Sequence, residues 1–259
     1  MISLTENTDL TIVRMDDGKA NAMSLAFCEK LTETMRAAEA LKRPVVLTGA
    51  GRIFSAGVDL PLLVREGEEY VRAFLPALDR AFASVAFASV PVVAAVNGHA
   101  IAGGCVLTCA CDYRVLVDRG ASIGVPELRV GVPFPHLPFE IMRASLPPEH
   151  FREVVLLGRN YDPAGALAHG LVDILEPASA LLETAEETAR QLGSVPAATF
   201  RFTKEQLLAP LRARLREAAK TDGEALALWT SPAAAAAITK FIETTIRGKA
   251  RPSSTEETV

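Results

Sequence analysis

The residues best suited to chemistry in this chain lie in one stretch, Asn97-Gly-His-Ala-Ile-Ala-Gly-Gly-Cys105. An apolar run, Pro91 to Val96, precedes it, and Val106-Leu-Thr-Cys-Ala-Cys111 follows with the composition of a buried helix. A strand, a glycine turn and a helix start in quick succession leave free backbone N–H groups at a helix N-terminus, where the helix dipole favours negative charge. Glycine at 98, 103 and 104 lets a ligand or a second segment approach that backbone closely. The natural guest is an anionic or partly anionic oxygen. The stretch is not a P-loop, because Gly104 stands where the lysine belongs, and no strand is followed by GxGxxG. Gly-Gly opening a buried helix fits tight helix packing equally well, and these residues alone leave both readings open.

The elements that must position this turn follow from periodicity and punctuation. Leu10 to Arg14 reads as a strand, Asp16 to Lys19 as a turn, and Ser24 as the N-cap of a helix whose apolar residues keep helical spacing to about Leu41. Pro44 to Gly49 is a buried strand, Ala50 to Gly57 a glycine-punctuated loop, and Asp59 opens a short helix. Glu66 to Ala88 is a long helix with Tyr70, Phe74, Leu78, Ala81 and Val85 on one stripe. Strand 91–96, helix 102–111 and strand 112–117 come next, then a proline-rich loop from Gly124 to Pro138. Phe139–Ser145, Pro148–Leu157, Pro163–His169 and Ala178–Leu192 read as helices, with a short strand at Leu171–Ile174. From Pro196 onward the pattern is helical, roughly 196–219, 222–229 and 232–247. Strand–helix alternation with β-branched strands predicts an α/β core over 1–195 with parallel pairing. The helical region 196–259 is too apolar to stand alone and must pack on the core or on another subunit.

The totals narrow the function classes. A chain of 259 residues that is 49% hydrophobic can build a sizeable core. The net charge of −4 argues against a nucleic-acid partner. The cysteines are Cys28, Cys105, Cys109 and Cys111. No CxxC occurs, so they read as small core residues of a reducing compartment rather than as metal ligands. The N-terminus has no apolar signal region, and no apolar run reaches membrane-spanning length, so the expected location is cytoplasmic.

Several spaced motifs carry a resemblance. Ile53-Phe-Ser-Ala-Gly-Val-Asp-Leu60, Pro91-Val-Val-Ala-Ala-Val-Asn-Gly98, Ala102-Gly-Gly-Cys105, Cys111-Asp-Tyr-Arg114, Gly124-Val-Pro-Glu127 and Gly131-Val-Pro133 recur in the order seen in the crotonase superfamily, the enoyl-CoA hydratases and isomerases. The likeness runs from about residue 10 to 250. It implies a crotonase-like spiral of ββα units with a C-terminal helical region that builds homotrimers, often paired into hexamers. It also implies an acyl-CoA thioester as substrate, with no cofactor beyond the coenzyme A that the substrate carries, and no metal. The thioester oxygen would accept bonds from the backbone N–H groups of Val58 and Gly103. Two such fixed donors stabilise an enolate by ~3 kcal/mol each.

One departure from the resemblance bears on the reaction. Hydratases of the family carry two glutamates, and the matching positions here are Val106 and Glu127. Hydration needs a water held and deprotonated while carbon gains a proton, which paired carboxylates do. Moving a double bond needs one base to take a proton from C2 and return it at C4. The Δ3,Δ2-enoyl-CoA isomerases resemble this chain at these positions, so Glu127 is the candidate base. The resemblance further implies substrate contacts at Ala20, Ala22, Ala56, Gly57, Asp59, Gly104, Phe134 and His136. Lys19 and Arg52 are candidates for coenzyme A phosphates, and Phe241 for the adenine. Some have a structural alternative, and Glu127 itself suits a surface loop carboxylate. Asp59 is suited to capping the helix at Leu60, and His99 and His136 sit in apolar company. Phe74, Leu75, Leu78, Phe134 and Phe139 suit a core as well as an acyl pocket, and Glu140 is a possible second carboxylate. Three functions follow: isomerase, hydratase or related crotonase reaction, and a non-catalytic acyl-CoA binder.

Overall fold

A computed structural model describes residues 1–18, 20–218 and 222–247. β1 (Ile2–Glu6) and β2 (Thr11–Met15) form an antiparallel pair, followed by α1 (Leu25–Ala40). The chain then repeats one motif, a strand, a short second strand and helix. The first turn is β3 (Val45–Gly49), β4 (Ile53–Ser55), α2 (Leu60–Glu66) and α3 (Glu68–Ala86). The second is β5 (Val92–Val96), β6 (His99–Ile101) and α4 (Gly103–Cys109). The third is β7 (Tyr113–Val117), β8 (Ile123–Gly124), α5 (Glu127–Val130), α6 (His136–Ser145) and α7 (Pro148–Leu157). β9 (Asn160–Tyr161), α8 (Pro163–Ala168), β10 (Ile174–Glu176) and α9 (Leu181–Gly193) close the core. α10 (Ala197–Ala218), α11 (Asp222–Trp229), α12 (Pro232–Phe241) and a π-helical segment, Ile242–Arg247, follow.

The first strand of each turn enters a six-stranded sheet of order β1-β2-β3-β5-β7-β10, and the second enters a four-stranded sheet of order β4-β6-β8-β9. The large sheet is parallel from β2 to β10, with Val13 beside Leu47 and Leu47 beside Ala94. Alternation in β3 and β5 sends Val45, Leu47, Val92 and Ala94 into the main core and Val46, Val93 and Ala95 into a second core under Leu181, Ala185 and Ala189 of α9. Both faces are thus covered, which is why these strands read as unbroken apolar runs. This is the α/β ββα spiral that the motif order implied.

Several expectations need correcting, among them the loop read from Gly124 to Pro138, which holds α5 and the first turn of α6. The helix read as continuous from Glu66 is broken at Gly67, whose φ of 76° and ψ of −161° are open only to glycine. β4, β6 and β8 lie in stretches read as loop or turn; at two or three residues each they are too short to show a period. The strand expected at Leu171–Ile174 begins only at Ile174, because Leu171 and Val172 are buried in the connection itself. Lys19 lies outside the described residues. The C-terminal helices pack on the core in this chain: Lys204 on α10 pairs with Asp112 at 2.8 Å, and the Trp229 indole donates to the Pro133 carbonyl at 3.0 Å. Among the described residues no single helix is long and apolar enough to cross a membrane.

Candidate active site

Two glycines bring the Val58 and Gly103 segments into contact. A Cβ on Gly57, at φ 81°, would stand 2.6 Å from the Ile101 carbonyl and 3.1 Å from the Gly103 nitrogen. One on Gly104 would stand 2.4 Å from the Ser55 carbonyl, so α4 can begin against β4 only with glycine there. Val58 is held in a parallel bridge with Met23, where Met23 N–H donates to Gly57 O at 2.8 Å and Asp59 N–H to Met23 O at 3.1 Å. The Gly57 N–H is taken by Ser55 Oγ at 3.1 Å. The Val58 and Gly103 N–H groups have no acceptor among the described residues. Between β6 and α4, Ala102 adopts φ 52° and ψ −121°, a strained conformation for a residue with a Cβ. It aims the first N–H of α4, and it is fixed by its own N–H donating to Gly124 O at 2.8 Å.

That last bond ties the turn to β8, three residues before Glu127. Glu127 begins α5 directly after Pro126 and, with Val130, is one of the buried residues of that helix. Its residue exposure is 9%, and its Oε2 has no hydrogen-bond partner among the described residues. Burial pushes the carboxyl up to about 8, opposed only by a bond to its own backbone N–H.

Val58, Gly103 and Glu127 all line one cavity of about 740 Å³. Its other walls are mainly apolar: Leu60, Leu78, Phe82, Val106, Val132, Phe134, Trp229 and Phe241. Ala22, Ala56 and Asp59 also line it, while Asp59 Oδ1 caps α2 through the Leu62 N–H at 3.0 Å, so capping and lining coexist.

Other candidates lie elsewhere. Gly57 and Gly104 are not in the lining; they act as the spacers described above. Ala20, at φ 58°, gives its carbonyl to the Ala56 N–H at 3.0 Å and supports the wall from behind. His136 is not in the lining, because Pro135 and Pro138 take the cavity-facing side of the first turn of α6. His99 is also outside it, and Arg52 reaches toward Gly120. Phe74 and Leu75 are core, with Phe74 stacked on Tyr70 at 6.1 Å. Phe139 packs edge-on against Phe134 at 6.0 Å, behind the wall. Glu140 does not reach the cavity: it is buried in an ion pair with Arg214, with Arg143 at 3.3 Å.

The family model for enoyl-CoA hydratase/isomerase matches residues 5–246. The chain belongs to that family. It is 39% identical over 171 residues to the "Putative enoyl-CoA hydratase" of Thermus thermophilus, an overlap of 64% of this chain and 66% of that one, just under two thirds of the relative's length. It is 32% identical over 194 residues to the carnitinyl-CoA dehydratase of Escherichia coli strain K12, covering 74% of each. Human mitochondrial Δ3,Δ2-enoyl-CoA isomerase superposes with a TM-score of 0.90 over 96% of this chain and 99% of its own, at 23% identity, a likeness of fold.

As an enzyme of the crotonase superfamily, this chain presents two backbone donors and one carboxyl without a cationic partner to a mainly apolar cavity. That arrangement suits proton transfer beside a carbonyl. The sequence reading missed Trp229, Asn160 and the Pro135/Pro138 pair in the wall. Trp229 carried a signal, being the one tryptophan of the chain and lying in an apolar helix. Asn160 carried none, since β9 is two residues long.

Proposed function

We propose that this enzyme is a Δ3,Δ2-enoyl-CoA isomerase acting on an acyl-CoA thioester. The observation that carries the reading is that Glu127 is unpaired and buried in a cavity where the facing helix contributes Val106, not a second carboxylate. In the proposed reaction the thioester oxygen takes the N–H groups of Val58 and Gly103. Ionised Glu127 removes a proton from C2, the electrons move into the thioester as an enolate, and the same carboxyl returns the proton at C4 as the double bond shifts. Each donor stabilises the enolate by ~3 kcal/mol in a site walled mainly by apolar side chains. A single base with a raised pKa suits both halves, since the acid it becomes must hold the proton between them.

Incubating the purified protein with 3-enoyl-CoA and with 2-enoyl-CoA tests the reading. Isomerised product from the first is expected. A 3-hydroxyacyl product from the second as the main reaction would make it a hydratase, and binding without turnover a non-catalytic acyl-CoA binder. We further propose that the region from 196 onward supports a homotrimer or hexamer, because α10 exposes Phe202 at 62% and Leu207 at 74%. A clean monomer by sizing at micromolar concentration would sink that proposal. A cytoplasmic location is part of the same reading.

A further inference from the structure

The loop that joins α5 to α6, Gly131-Val-Pro-Phe-Pro135, supplies Val132, Phe134 and Pro135 to the cavity wall. Two of its five residues are prolines and lack an N–H, so it cannot be fixed by a ladder of its own. From the α5 side it is held by the Val132 N–H donating to Glu127 O at 3.1 Å. On its other side it meets the C-terminal helices twice. The Trp229 indole N–H donates to Pro133 O at 3.0 Å, and the Trp229 ring is itself in the cavity lining and only 5% exposed. Gly131 has φ 93°, and a Cβ there would stand 2.6 Å from Ala237 Cβ, so α12 rests directly on its backbone. The C-terminal helices therefore hold the first residue and the middle of a loop that directly follows the helix of Glu127.

We propose that Trp229 is a positioning residue of this enzyme, acting with the Gly131–Ala237 contact to hold the 131–135 loop closed beside Glu127 and so keep water from the base and from the bound enolate. The proposal rests on the isomerase reading for its chemical consequence. With water excluded, the enolate has one fate, protonation on carbon. With water admitted, the 2-enoyl thioester can take hydroxide at C3 and a proton at C2, giving the 3-hydroxyacyl thioester with nothing left over. Burial is also what raises the Glu127 carboxyl, since no charged partner contributes to its shift, so loosening the loop over it should lower it. The other charged residues of the cavity lining are Asp59 and Arg129, the buried Cys105 thiol also lies within electrostatic reach of Glu127, and none of them is a partner in the Trp229–Pro133 bond.

The test compares wild type with Trp229→Phe, which keeps an aromatic side chain and removes the donor to Pro133, and Gly131→Ala, which presses on α12 at the first residue of the loop. Glu127 is titrated directly by the infrared band of its protonated carboxyl, identified by its loss in Glu127→Gln. Both variants are expected to move the midpoint down by ~1 unit. Turnover of 3-enoyl-CoA should fall roughly tenfold, mainly in kcat, with hydrated product rising. A midpoint and product ratio unchanged in both folded variants would overturn the proposal. If Trp229→Phe does not fold, Gly131→Ala decides alone, and the same holds in reverse. A midpoint that falls in a protein that turns over neither substrate keeps the positioning role and removes the isomerase reading.

Discussion

Two buried glutamates sit on neighbouring helices of this molecule and are treated in opposite ways. Glu140, on α6, is 7% exposed and meets Arg214 from α10 and Arg143 one turn along its own helix. Glu127, on α5, is comparably buried at 9%, and among the described residues it meets no cation and its Oε2 has no partner. At the first position the fold neutralises a charge, and at the second it makes ionisation costly. An uncompensated buried carboxyl is destabilising when charged, so its retention beside two unclaimed N–H groups argues for use in proton transfer. The comparison also separates the roles that sequence left open, because two glutamates thirteen positions apart in one proline-rich region look alike until α10 is folded against one of them.

Exchanging each glutamate for glutamine should break the comparison most sharply. Glu127→Gln is expected to lower isomerisation by ~10²–10⁴-fold while acyl-CoA binding survives. Glu140→Gln should leave turnover close to wild type but destabilise the fold by ~1–3 kcal/mol, because Arg214 loses its counter-charge. Equal loss of activity in both variants, measured as kcat/KM alongside urea unfolding, would erase the distinction.

Next in size is Val106→Glu, which adds a second carboxyl to the cavity on α4. Measurable hydration of 2-enoyl-CoA is expected, with a stability loss of several kcal/mol since Val106 is 1% exposed and the new group is unpaired. Wild-type hydration that is already fast and unmoved by this change would mean another group does the work assigned to the missing glutamate.

The pH dependence follows from the same burial. Folded Glu127 keeps its proton up to about pH 8, whereas a free carboxyl of this kind loses it near 4.5. The folded state thus binds more protons than the unfolded one between those values, so this group's contribution to stability falls as pH rises through that window. Above pH 8 the full penalty is present, and Glu127→Gln should be the more stable protein there, with the gap closing toward pH 4.5. For catalysis the sign reverses. Wild-type kcat/KM should climb about tenfold per pH unit below a midpoint near 8 and level off above it. A midpoint near 4.5 would show a solvated carboxylate and end the parallel between desolvation and function.

Legibility in the sequence divides along the same line as the two sheets. β3 and β5 were plain because both faces are buried, and five-residue runs such as Val92–Val96 admit little else. The second sheet was hidden because β4, β6, β8 and β9 are two or three residues long and punctuated by glycine. Yet this sheet, whose strands end at Ser55, Ile101 and Gly124, is what brings Val58, Gly103 and Glu127 to one cavity. Those three residues are implied by the resemblance of the spaced motifs to a known family, not by any visible strand. The walls that come from far along the chain, Trp229 above all, depend on where α11 and α12 fold back, and no local pattern encodes that. The sequence left the roles of His136 and Glu140 open for a simpler reason: neighbours on a helix face different ways, and here Pro135 and Pro138 turn toward the cavity.

The smallest expected effect concerns which arginine holds Glu140. Arg143 lies one turn further along α6, and its guanidinium also stands 4.9 Å from the centre of the Phe139 ring and 5.2 Å from that of Phe151. Its side chain is 42% exposed, so solvent screens its attraction to Glu140, and its ring contacts are of the weak, half-exposed kind. Arg214 is comparably exposed at 40%, but it comes from another element and its bond links α10 to α6 across the fold. Removing Arg143 leaves that link intact, whereas removing Arg214 leaves Glu140 with only a neighbour on its own helix. Arg143→Ala should therefore cost no more than about 1 kcal/mol, and Arg214→Ala more than that. Neither should shift the pH midpoint near 8, because neither arginine contributes to the environment of Glu127. Urea unfolding of the two variants in parallel reads the first difference, and their kcat/KM profiles the second. A larger loss from Arg143→Ala would make the local pair the true anchor of Glu140. A shift in the profile would join the two regions into one electrostatic unit.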